Sequence, residues 1–136
     1  MRKRFIRLGS LLAFLAVILG AFGAHGLEGK ITPDQIDTFK TGVEYQFFHA
    51  FAILIVALLI HYRKTSFLPL SAWTFFIGIL LFSGSLYAFT FFAFFDLAAP
   101  VWIGPITPLG GTLFIVGWGL LFLSTFQQST YVKKDK

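Results

Sequence analysis

Two histidines and one polar stripe carry most of the chemistry that this chain could perform. Gly42, Tyr45, Gln46 and His49 recur at i, i+3, i+4 and i+7, so on a helix they line a single face. His25 precedes them, beside a run of glycines. Two imidazoles could ligate a metal or a haem iron, His49 could relay protons, and the stripe could hold a lipid or quinone headgroup. A metal needs further ligands at recognisable spacing, yet the chain has no cysteine and no HExxH helix. Haem needs a histidine deep on a facing helix rather than one at a helix end. Neither a metal nor a cofactor is therefore expected. No Ser/His/Asp set, paired intramembrane carboxylates or phosphate-cradling loop is present to suggest catalytic residues. Glu44 points away from the stripe, while Ser83, Ser85, Tyr87, Thr90 and the Trp118 indole add polar groups elsewhere. The competing reading is structural: a hydrogen-bonded His49 ties its helix to its neighbours and to the 20–29 turn.

These groups are embedded in four long apolar segments, at about 5–24, 43–62, 69–95 and 107–126. Each approaches the roughly 20 residues that cross a hydrocarbon core of about 30 Å. With 57% hydrophobic and 12% charged residues and a mean hydropathy of +0.80, the chain lies outside the soluble range. Its 136 residues suffice for one transmembrane domain, residues 1–136, and show no internal repeat. The expected fold is all-α: an integral membrane four-helix bundle of up-down topology. The basic start resembles the n-region of a signal peptide, but its apolar stretch exceeds the usual length, so retention as a helix is expected. Along it Gly9, Ala13, Ala16, Gly20 and Gly23 or Ala24 recur at three- and four-residue steps, a face that lets another helix approach closely.

Between the first two spans, Thr32-Pro33-Asp34-Gln35 has the form of a capping box with proline at the first helical position. It predicts a short amphipathic helix in the headgroup region, with Ile36, Phe39 and Val43 on one face and a bend at Gly42 before the second span. Asp37, Lys40 and Glu44 read as solvated pairs. Thr107 and Pro108 repeat the N-cap and first-position pattern before the fourth span. Gly110 and Gly111 then bare the first turn of that helix, where backbone can meet backbone or an anionic headgroup could sit. Packing of this turn on the 20–29 turn would enclose His25. Trp118, between Gly117 and Gly119, reads as filler of a gap in the bundle.

Basic residues set orientation. Arg2, Lys3, Arg4, Arg7, Arg63, Lys64, Lys133, Lys134 and Lys136 are nine of the eleven, and all fall on one side of the four-span arrangement. The positive-inside rule then predicts both termini in the cytoplasm, with the cell membrane as the location. Tyr45 and Trp102 would mark the outer interface, Tyr62, Trp73 and Tyr131 the inner one. The formal charge of +5 follows from these flanks and does not imply a nucleic-acid partner. The lipid bilayer is the expected partner, with a second copy of the chain or another membrane complex against the small-residue faces.

Four motifs together resemble one family. They are Gly20-Ala21-Phe22-Gly23-Ala24-His25-Gly26; Thr41-Gly42-Val43-Glu44-Tyr45-Gln46 with His49-Ala50; Leu81-Phe82-Ser83-Gly84-Ser85-Leu86-Tyr87; and Gly104-Pro105-Ile106-Thr107-Pro108-Leu109-Gly110-Gly111. On these the chain is similar to the small membrane proteins of domain of unknown function four-two-three, and to the eukaryotic transmembrane-protein-two-five-six proteins. The resemblance implies four spans, no established activity, and shared importance for His25, Glu44, Tyr45, Gln46, His49, Ser83, Tyr87 and the 104–111 segment. Phe48 departs from the family pattern, in which a tyrosine precedes the histidine. The expected function is that of a non-enzymatic structural or accessory membrane component. The alternative is a small-solute or proton pathway, or a lipid or quinone site, centred on His49 and His25.

Overall fold

In a computed structural model, which describes residues 1–127 and 130–131, the chain forms four helices: α1 (Arg2–His25), α2 (Pro33–Tyr62), α3 (Phe67–Phe94) and α4 (Ile106–Leu123). All four are long and apolar enough to span a membrane, the last counted together with the Val101–Ile103 turn that precedes it. Both described chain ends and the 63–66 turn gather at one end of the bundle. There the Arg2 guanidinium donates to His61 Nδ1 (2.9 Å), and the backbone of β1 (Arg63–Lys64) pairs antiparallel with β2 (Thr130–Tyr131). The 26–32 and 95–105 connections form the opposite end. Lys133, Lys134 and Lys136 lie outside the described residues.

Sequential neighbours pack, α1 on α2, α2 on α3 and α3 on α4. Cross-contacts are made by aromatic side chains: Phe5 of α1 meets Trp73 of α3 edge-on, and Phe114 of α4 stacks on His49 of α2. α2 and α3 are therefore the inner pair of helices and α1 and α4 the outer ones. Burial follows that geometry, at 39% and 33% of the apolar windows of α2 and α3 but only 22% and 17% for α1 and α4. The centre holds Ala50, Ile53, Val56 and Ala57 of α2 against Ala72, Phe75 and Ile79 of α3.

Small residues set how closely the helices approach. On α1, a Cβ at Gly9 would lie 2.8 Å from Leu54, one at Gly23 2.6 Å from Phe39, and one at Gly20 3.4 Å from Val43. Ala16 is buried on the same face and Ala13 is half-buried at its edge. Gly110 and Gly117 lie two turns apart on α4. The first abuts the backbone of Phe82, and a Cβ at the second would lie 2.6 Å from the Phe75 ring.

Three local expectations change. The capping box forms as predicted, with Gln35 N–H donating to Thr32 Oγ1 (3.3 Å) and Thr32 N–H to Gln35 Oε1 (2.9 Å). The helix it starts does not end at Gly42, however, and α2 continues for 30 residues. At about 45 Å this helix exceeds the hydrocarbon core by some ten residues, so the amphipathic segment is the projecting first turns of the second span. Gly42 serves contact rather than bending, since a Cβ there would come within 2.9 Å of the Tyr87 ring. Second, α4 begins one residue before Thr107, with Pro105 at its N-cap position and no side-chain cap. Thr107 lies inside the first turn with its hydroxyl directed across to Ser85, and Pro108 takes the third helical position, where an N–H has no intrahelical partner to lose. Third, the 104–111 segment packs on α3 through Gly110 rather than on the 20–29 turn, and His25 is left exposed.

Candidate functional site

Gln46 and His49 sit one turn apart on α2, on the face that α1, α3 and α4 converge upon. Both are buried. The Gln46 amide donates from Nε2 to the Leu12 carbonyl of α1 (2.8 Å), and its Oε1 accepts from the Tyr87 hydroxyl of α3 (2.9 Å). One side chain thereby joins three helices. His49 does the same toward α4. Its Nδ1 lies 2.8 Å from the Tyr45 carbonyl one turn back, and its Nε2 accepts from the Trp118 indole N–H at 3.2 Å. A carbonyl can only accept and an indole can only donate, so these partners select the neutral tautomer with its proton on Nδ1. The ring stacks on Phe114 at 3.5 Å between centroids and 10° between planes, and Phe75 and Trp118 flank it.

The hydroxyls follow the same pattern. Ser71 donates to the Gly117 carbonyl across the α3–α4 contact (2.8 Å). Ser85 donates to the Phe82 carbonyl (2.8 Å), which leaves Thr107 as the donor in the 2.7 Å contact between Thr107 and Ser85. Thr90 bonds back to the Leu86 carbonyl within its own helix. Ser83 is an exception within the bundle, as Thr65 is in the 63–66 turn: fully buried, the Ser83 hydroxyl has no partner among the described residues.

Of the residues singled out in the sequence, Tyr45, Gln46, His49 and Tyr87 come together. Tyr45 contributes its carbonyl to His49 and its ring to a stack on Phe82 at 4.5 Å. Glu44 is exposed, pointing away from the stripe as its helical position requires. His25 ends α1 on the surface and takes no part in the cluster. Phe48 is 62% exposed, so a hydroxyl at that position would face away from His49 rather than extend a relay through it. Among the described residues, no three His, Asp or Glu come together as a metal site would require. Sequence reasoning missed the role of Trp118. The signal was available, because an indole N–H in mid-span requires an acceptor, and His49 on a facing helix is one.

Two openings adjoin these elements. A groove of about 500 Å³ between α2 and α4 has His49, Tyr45 and Trp118 in its wall. A cleft of about 1030 Å³ lies at the opposite end from the termini, between the start of α2 and the end of α3, with Lys30 and Asp96 on its rim. The Thr32 and Thr38 hydroxyls beside it are held in the helix cap and on the Asp34 carbonyl. Lys30 itself rests over the Phe94 ring, 4.9 Å from its centroid.

Comparison with known proteins places the geometry in a family. Residues 19–111 match the family described as Protein of unknown function (DUF423). The chain is 44% identical over 131 residues to a UPF0382 membrane protein of Haemophilus influenzae, covering 96% of this chain and 99% of that one. It is 43% identical over 123 residues to the UPF0382 membrane protein YwdK of Bacillus subtilis, covering 90% and 95%. A UPF0382 membrane protein of Staphylococcus aureus is 41% identical over 125 residues, covering 92% and 97%. No solved structure matches. An integral membrane protein with four membrane-length helices and this family's motifs, the chain belongs to the DUF423 family of membrane proteins of unknown function.

Proposed function

We propose that the protein is a non-enzymatic structural or accessory component of the cytoplasmic membrane, with both termini on the cytoplasmic side. One observation carries this reading: the polar side chains of the His49–Gln46 cluster bind one another across helices. Both ring nitrogens of His49 and both ends of the Gln46 amide are engaged. Such bonds hold a bundle in a medium that supplies no water to compete for them. The outer faces of α1 and α4 remain apolar and available to lipid, a second copy or another membrane complex, through residues such as Phe14, Val17, Ile115 and Phe122. The placement of nine of eleven cations supports the orientation, and the bacterial relatives named as membrane proteins support the location.

The test uses the full chain extracted gently and examined by native mass spectrometry. Copurifying subunits or self-association supports the reading, and a preparation that is monomeric and empty counts against it. Reconstituted vesicles supply the second arm. His49→Ala is expected to lower stability without abolishing any solute or proton flux; a flux that depends on His49 in a folded variant overturns the proposal.

One observation favours a second reading, a lipid or quinone site at His49: the imidazole stands in the wall of the α2–α4 groove, beside a Trp118 that is 46% exposed. Quinone or lipid retained by the parent and lost in His49→Ala would select it.

A further inference from the structure

A second groove, of about 590 Å³, runs between α1 and α3 at the end of the bundle where the N-terminus and the 63–66 turn lie. Its lining is graded. Arg4 and Arg7 stand at the mouth, Trp73 forms one side, and Leu8, Leu11 and Phe76 continue it toward the middle of the bundle. From Arg4 to Leu11 is about 10 Å along the helix, the distance from a headgroup down into the acyl region. We propose that this groove binds one anionic phospholipid, its phosphodiester held by Arg4 and Arg7 and an acyl chain laid along Leu8, Leu11 and Phe76.

The two arginines suit this task because they are one turn apart and uncommitted. Arg2 bonds to His61 and Arg63 bonds to the Thr125 and Gln127 carbonyls, whereas among the described residues the guanidinium groups of Arg4 and Arg7 have neither an ion-pair nor a hydrogen-bond partner. A guanidinium matches a phosphodiester through two parallel hydrogen bonds, and basic pockets between membrane helices at this depth select anionic headgroups. The wall opposite is fixed: Trp73 meets Phe5 at 5.7 Å and Phe76 at 5.8 Å, both edge-on. Free phosphate would use the arginines alone and leave the apolar lining unexplained. A second copy would bring its own arginines against these. A phospholipid uses both halves of the groove.

The test is native mass spectrometry of the full chain in mild detergent, titrated with palmitoyl-oleoyl phosphatidylglycerol or with phosphatidylcholine bearing the same chains. The parent is expected to retain one phosphatidylglycerol at about a tenfold lower lipid concentration than phosphatidylcholine. Arg4→Gln with Arg7→Gln should erase that preference, and Lys3→Gln with Lys64→Gln, the same loss of charge, should keep it. Equal loss in both double variants means general electrostatics and overturns the site, as does a preference that survives without Arg4 and Arg7. Should the arginine variant fail to fold, Leu11→Trp fills the apolar half with both cations in place and should expel the lipid. If Leu11→Trp binds phosphatidylglycerol as the parent does, or inorganic phosphate displaces the lipid from both, the acyl half of the proposal is wrong.

Discussion

At the scale of single residues, the bundle is held at its centre by few polar groups with defined partners. Gln46 makes two of these bonds, to Leu12 and Tyr87, and its replacement by Leu leaves the Tyr87 hydroxyl without an acceptor. Interhelical hydrogen bonds in membranes contribute roughly 0.5–2 kcal/mol each. Gln46→Leu is therefore expected to destabilise the fold by about 1–3 kcal/mol. Tyr87→Phe should lose less, and the double variant should lose less than the sum, because the two share a bond. Unfolding in detergent mixtures, run as a double-mutant cycle, checks this; strict additivity would show that the bond carries no energy. Ser83 predicts the opposite sign. Its hydroxyl is buried without a partner among the described residues, so Ser83→Ala should be neutral or stabilising by up to about 1 kcal/mol in the same assay. A clear loss would mean that the hydroxyl does bond. The stripe itself was legible, because helical spacing alone brings Tyr45, Gln46 and His49 to one face. Their partners were not, since Leu12, Tyr87 and Trp118 stand on other helices whose rotation a spacing argument cannot supply. His25 misled for the same reason: nearness to a run of glycines says nothing about which way a helix end faces.

At the scale of helices, glycines divide into those that touch another backbone and those that do not. Gly110 lies against the Phe82 backbone, which cannot swing aside, while a Cβ at its neighbour Gly111 would meet only the edge of the Phe82 ring at 3.8 Å. Gly110→Ala should therefore separate α3 from α4 and cost about 1–3 kcal/mol. Gly111→Ala should be neutral or slightly stabilising, through the helix propensity of alanine. Melting temperatures of the two purified variants decide it, and equal behaviour would remove the close approach as an explanation. The end of α3 offers a second helix-scale test. Asp96 is left-handed (φ +54°), with Leu97 N–H returning to the Phe92 carbonyl (2.9 Å) and Asp96 N–H to that of Ala93 (3.1 Å). This is a Schellman cap with aspartate in the glycine position. Asp96→Gly should stabilise the helix end by about 0.5–1 kcal/mol, and Asp96→Val should destabilise it, in the same melts. Helix existence was plain from hydropathy, and the capping box at Thr32 was read correctly. The start of α4 was misread because Thr107 has the composition of a cap but a tertiary partner in Ser85. The break at Gly42 was misread because glycine tolerates close contact as well as bending, and only the position of Tyr87 distinguishes the two.

At the scale of the whole molecule, charge is polarised from end to end. The end with the N-terminus and the 63–66 turn carries Arg2, Lys3, Arg4, Arg7, Arg63 and Lys64, with no acid among the described residues there; the other carries Glu28, Asp34, Asp37, Glu44 and Asp96 against Lys30 and Lys40. Such asymmetry is what insertion reads when it retains short basic segments on the cytoplasmic side. The same cations would there face the anionic lipid of the inner leaflet, so the orientation and the proposed phospholipid groove make one demand of the membrane. The chain lends itself to a clean test because it has no cysteine. A single thiol introduced by Lys30→Cys is expected to react with an impermeant maleimide in intact cells. One introduced by Lys64→Cys should react only after the membrane is opened. Lys30 and Lys64 belong to connections at opposite ends of the bundle, on either side of α2, so a correctly inserted chain cannot expose both to the same compartment. Labelling in the reverse order would place the termini outside the cytoplasm and remove the cationic groove from the leaflet in which its lipid is expected.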